Sequence, residues 1–116
     1  MSLAVLAYDS DAAMASLGTR GFATGQTRSL LFQGCDLSID VLMQGAGPIQ
    51  ILHGQVAELN TGLPAVGVRI AAGEEQADSD ALGQFTLSVL DRHLDRLWIE
   101  AGDRTMVCEF PPSLQR

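Results

Sequence analysis

Four groups of residues in this chain have types and spacing that could do chemistry. Asp78-Ser79-Asp80-Ala81-Leu82-Gly83 sets two carboxylates two positions apart ahead of a glycine, which is how a calcium loop begins. His53 and His93 are candidate general bases or metal ligands. Cys35 and Cys108 are candidate thiolates. The fourth group would bind a partner rather than catalyse: Trp98, the only tryptophan, with Arg92, Arg96 and Arg104 near it in sequence.

Each group is weighed by what its chemistry requires. A calcium loop needs oxygen ligands at its first, third, fifth and ninth positions and a bidentate glutamate at its twelfth. Counted from Asp78, Leu82 is fifth and Val89 twelfth, so the shell cannot be completed and the stretch reads as a tight turn. A histidine base needs an activated nucleophile, and no GxSxG-type signature is present. The cysteines form no CxxC pair and have no histidine at ligand spacing, which argues against zinc. They are expected as free thiols of a cytoplasmic protein. Glu74, Glu75, Asp78 and Asp80 form an acidic run, read as a solvated loop or as a weak site for a cation or a basic partner. Asp91, Arg92, Asp95 and Arg96 alternate in sign and serve solubility.

The elements that must position these groups are strands. In Leu37–Gln44, Leu37, Ile39, Val41 and Met43 alternate with Ser38, Asp40, Leu42 and Gln44. Gly45-Ala46-Gly47-Pro48 reads as a turn. Residues 49–59 form a second strand whose alternation slips near Ile51 and Leu52, which predicts a bulge or a change of face. After the turn at 60–64, Val66, Val68 and Ile70 are expected on one face, and residues 73–80 as loop. Phe85, Leu87 and Val89 should point inward, with Thr86 and Ser88 outward. Leu97, Ile99 and Ala101 share a face, which turns Trp98 outward; a different register would put it in the core. Met106, Cys108 and Phe110 oppose Val107 and Glu109, and Pro111-Pro112 ends that strand. Near the start, residues 3–8 read as an edge strand, Ser10–Gly18 as a short helix, residues 18–26 as a glycine-rich loop, and residues 28–33 as a strand.

Short strands with turn signals at about ten-residue intervals predict an all-β sandwich. With 116 residues, one domain is expected, its core in 28–112 and residues 1–27 an N-terminal segment of edge strand plus loop. The formal net charge of −7 disfavours nucleic acid and anionic membranes as partners. No apolar run reaches the length of a membrane span, and the opening MSLAVLAYDS lacks a basic n-region, so no signal peptide is expected.

Within residues 52–90, the string LHGQVAELNTGLPAVGVRIAAGEEQADSDALGQFTLSVL resembles a carboxypeptidase regulatory-like domain. The likeness rests on Gly54, Val56, Thr61, Gly62, Pro64, Val66, Val68, Asp80, Gly83 and Phe85, with Ser79 where that family commonly has threonine. It implies a transthyretin-like Greek-key sandwich of about seven strands. It brings no catalytic residue and no cofactor. Residues 28–43 are similar to stand-alone bacterial copies found beside regulatory genes such as sigma factors. The closing strands depart from the pattern: DRHLDRLWIEA stands where a glycine-tyrosine pair is common. The function expected is a non-catalytic binding or protein-interaction module, possibly regulatory, whose partner is another protein or a second copy, met at Trp98, Arg92 and Arg96. The alternatives are a small hydrolase or lyase using His53 or His93, or a carbohydrate-binding module in which Trp98, Tyr8 and a phenylalanine supply the platform.

Overall fold

The computed structural model describes residues 2–9, 27–90 and 94–110. The helix expected at Ser10–Gly18, the loop at 18–26, Asp91, Arg92, His93 and Pro111-Pro112 lie outside the described residues. The described chain is all β, with ten strand segments: β1 Ser2–Leu3, β2 Val5–Asp9, β3 Thr27–Gly34, β4 Leu37–Ala46, β5 Ile49–Glu58, β6 Arg69–Ala72, β7 Glu75–Asp78, β8 Gln84–Leu90, β9 Arg96–Ala101 and β10 Arg104–Glu109. They form two five-stranded sheets, ordered β1-β10-β9-β6-β7 and β2-β3-β4-β5-β8. Every pairing is antiparallel except that of β1 with β10.

Alternation builds the core. Leu30, Phe32, Ile39, Val41, Leu52 and Val56 from one sheet meet Ile70, Leu97, Ile99, Met106 and Cys108 from the other, all buried. Strands β8 and β9 alternate strictly between buried and exposed positions, as their sequences require. Gly54 faces inward on β5, opposite Phe85 on β8, and a side chain at 54 would collide with the Phe85 ring. The missing side chain is the seat of that ring.

Three local expectations are corrected. β5 carries no bulge: it pairs in unbroken register with β4 and β8, Leu52 inward and Ile51 half-buried on the outer face. The register shift in that sheet lies instead in β2, between Leu6 and Tyr8. Val66 does not share the inward face of Val68 and Ile70; it is exposed, because Gly67 with φ +73° turns the chain before β6 begins. Glu75–Asp78 is a strand, not a loop, and its polar sequence suits an edge, where Ala77 alone packs toward the core. The N-terminal residues also belong to both sheets. The chain switches sheets at buried Ala4, whose N–H donates to the Val107 carbonyl (2.8 Å), and β2 is held to β3 by a bidentate Arg28–Asp9 pair (3.0 and 2.6 Å).

The β3–β4 hairpin turns on Cys35 and Asp36, both with positive φ (51° and 62°), as a two-residue type I′ loop demands. Aspartate tolerates that region better than cysteine does, and the turn is braced from outside. Arg104 donates to the Cys35 carbonyl (3.1 Å), and the Leu59 N–H donates to the Asp36 carbonyl (2.8 Å).

Two outcomes are expected in urea unfolding. Phe85→Ala lowers stability by about 3–5 kcal/mol, whereas Thr86→Ala stays within about 0.5 kcal/mol; a more damaging Thr86→Ala would reverse the assigned facing of β8. At the strained turn, Asp36→Gly raises stability by about 0.5 kcal/mol and Asp36→Val lowers it by 1 kcal/mol or more, since valine resists positive φ. Equal stability of the two variants would contradict the left-handed turn.

Candidate functional site

The 78–83 stretch is a junction. The chain leaves β7 in one sheet and enters β8 in the other here, and its polar groups are used to make that crossing. Asp80 Oδ1 accepts from the Leu82 and Gln84 N–H groups, both at 2.9 Å. The Gly83 N–H donates to the Asp80 carbonyl (2.9 Å). Gly83 takes φ +77°, and any side chain there would strike the Val56 carbonyl. Ser79 is the buried polar side chain of this junction. Its hydroxyl accepts from the Val68 N–H (2.9 Å) and donates to the Ala65 carbonyl (2.7 Å), tying the 64–68 loop to the crossing. Threonine would offer the same hydroxyl. Among the described residues there is no group of three or more His, Cys, Asp or Glu side chains placed to hold a metal ion.

The other candidates separate in space. His53 is exposed on the outer face of the β2-β3-β4-β5-β8 sheet, whereas the acidic residues Glu75 and Asp78 lie on β7 in the opposite sheet. His53 instead borders an open depression of about 400 Å³ with Ser29, Asp40, Gln55, Gln84 and Thr86. Asp40 was not singled out by sequence: it reaches this depression because the β4–β5 register pairs Asp40 with Gln55 and Leu42 with His53, which sets the carboxylate diagonal to the imidazole. The Thr86 hydroxyl is 3.5 Å from His53 Nδ1.

Both cysteines are free. Cys35 sits at the hairpin turn, and Cys108 is fully buried in the core, where desolvation pushes its thiol up to about 12. A thiol this reluctant to ionise is a packing group rather than a nucleophile. Of the three arginines near Trp98 in sequence, Arg96 and Arg104 stand at opposite ends of the β9–β10 hairpin, and Arg92 lies outside the described residues. Arg104 also reaches Glu58 (3.4 Å), and that hydrogen bond holds it still more firmly in its charged form.

Trp98 does face outward. The register lines up Leu3, Val107, Trp98, Ala71 and Gln76 across five strands as one row on the outer surface of their sheet. Leu3 and Trp98 are 61% and 37% exposed, whereas Val107 between them is buried. On β9 the row is flanked by Arg96 on one side and Glu100 on the other, both exposed. Below the row, Arg69 pairs with Asp78 at 3.4 Å. The result is an apolar stripe with a charged border, the anatomy of a contact surface.

No family model matches the chain, and no curated protein or solved structure matches it.

If the junction is structural, Asp80→Ala lowers stability by about 1 kcal/mol through the lost turn hydrogen bonds, with or without calcium. Melting temperatures of the wild type in millimolar calcium and in chelator should coincide. A rise of several degrees with calcium, abolished by Asp80→Ala, would make the turn a metal site.

Proposed function

We propose that this chain is a non-catalytic protein-interaction module of the cytoplasm that binds through the outer sheet face carrying Trp98. The observation that carries this reading is the Leu3-Val107-Trp98-Ala71 row. It is an apolar stripe on a face that the core does not require, with the chain's one tryptophan at its centre. A tryptophan anchors contacts well because it covers a large area with few rotatable bonds. The free thiols support a reducing compartment. Among the described residues, no helix is long and apolar enough to cross a membrane. The resemblance of residues 52–90 to regulatory-like domains points the same way.

The hydrolase reading has one observation in its favour, the shared depression of Asp40, His53 and Thr86. The geometry weighs against it. The Thr86–His53 separation of 3.5 Å exceeds the roughly 2.6–3.2 Å of a nucleophile and its base, and the depression is open to water. The carbohydrate reading shares the Trp98 surface, but the row supplies no second aromatic.

Affinity capture from native lysate with three baits tests the proposal: wild type, Trp98→Glu on the row, and Thr86→Arg on the opposite sheet. Partners retained by wild type and Thr86→Arg but lost by Trp98→Glu are expected. Identical partner sets for all three baits would remove the Trp98 face from the function.

A further inference from the structure

We infer that the Trp98 face is self-complementary and that the partner it fits is a second copy of this chain, packed face to face about a two-fold axis running along the apolar row. This rests on the Trp98 face being the binding surface and adds the identity and geometry of its partner.

The argument is one of charge and symmetry. Arg96, Trp98 and Glu100 project from the same side of β9, with the tryptophan in the middle. Two copies stacked on this face can be related by a two-fold axis in either of two directions. An axis parallel to the strands sets Arg96 against Arg96 and Glu100 against Glu100. An axis along the row, across the strands, exchanges the two borders. It sets Arg96 of each copy against Glu100 of the other, twice over, while Trp98 meets Trp98 and Val107 meets Val107. Only the second arrangement joins opposite charges around an apolar centre, and an isologous contact repeats each favourable pair by symmetry.

The β10 border is compatible, and on the other side of β9 Arg69 and Asp78, which share the Glu100 border, are paired with each other at 3.4 Å. Glu109 lies across from Arg96 on β10, and Thr105 lies across from Glu100, so the same exchange sets Glu109 against neutral Thr105 of the second copy. Among the described residues, Arg96 makes a loose ion pair with Asp95 at 3.8 Å, which leaves the exposed side chain able to reorient. The net charge of −7 opposes association at long range. Screening beyond about 8 Å at physiological salt confines that repulsion, and contact forces decide at the interface.

Sedimentation velocity with light scattering at tens of micromolar tests the geometry on four forms: wild type, Arg96→Glu, Glu100→Arg and the double charge reversal. Both substituted positions are exposed, and circular dichroism melts check the folding of all three variants. The wild type is expected as a dimer. Each single reversal weakens the dimer by about tenfold or more, because both symmetry-related pairs become like-charged, and the double reversal restores it. A monomeric wild type, single reversals that dimerise as well as wild type, or a double reversal that stays dissociated would each overturn the inference. A monomeric wild type that still captures partners through Trp98 would overturn self-association alone. Partner capture indifferent to Trp98→Glu would instead overturn the binding face itself.

Discussion

The fold depends on one buried hydroxyl. Between β6 and β8 the chain crosses from sheet to sheet, and a crossing strips backbone groups from the ladders that would satisfy them. Ser79 meets that demand at its centre: its hydroxyl takes the Val68 N–H and gives its proton to the Ala65 carbonyl, while its own backbone pairs with Val68 and Gly67. No buried side-chain nitrogen or oxygen among the described residues lacks a partner. From this point constraint spreads outward. Fixing Val68 fixes where β6 begins; β6 pairs Ala71 with Trp98, and β9 then pairs Trp98 with Val107. The outer row is therefore positioned by a serine on the far side of the β6–β7 hairpin, and disturbing the junction would disturb the contact surface without touching it.

The strands that sequence reveals most clearly are those with one wet face. In β8 and β9 every second residue is buried, and the period of two is unmistakable. The signal fails where that condition fails. β5 is an interior strand of its sheet and carries Ile51 on the outer face beside inward Leu52, which imitates a slip in phase. β7 is a short edge whose residues need bury little, so Glu75–Asp78 resembles a loop. The Cys35-Asp36 turn is invisible for another reason. Its conformation is braced by Arg104 and Leu59 from outside the hairpin, and without a glycine beside Asp36 local turn chemistry gives little hint of it.

The candidate surfaces divide along the same line. Parity leaves two placements for Trp98, and the burial of its neighbours Leu97 and Ile99 selects the outer one. Ser79 could not be recognised as a structural hub, since its partners are 11 and 14 residues away and belong to a loop. Nor could Asp40 be placed beside His53. That proximity depends on the β4–β5 register, which the two-residue Gly47-Pro48 turn sets, with Gly47 at φ +68°. Residues adjacent through parity are legible in sequence. Residues adjacent through register are legible only once the turn is known.

The six residues of β9 show how much one strand can encode. Leu97, Ile99 and Ala101 close the core, while Arg96, Trp98 and Glu100 write a charge-apolar-charge pattern on the surface. A slip of one residue would bury an arginine and a glutamate and expose Leu97 and Ile99, so the core enforces the surface pattern at no separate cost in specificity. The pairing partners tighten this further. β10 sets Cys108 opposite Leu97 and Met106 opposite Ile99, and β6 sets Ile70 opposite Ile99 from the other side. Any register that preserved these buried contacts must present Trp98 between Val107 and Ala71. The outward tryptophan is thus a consequence of the interior, and its single freedom is what it meets.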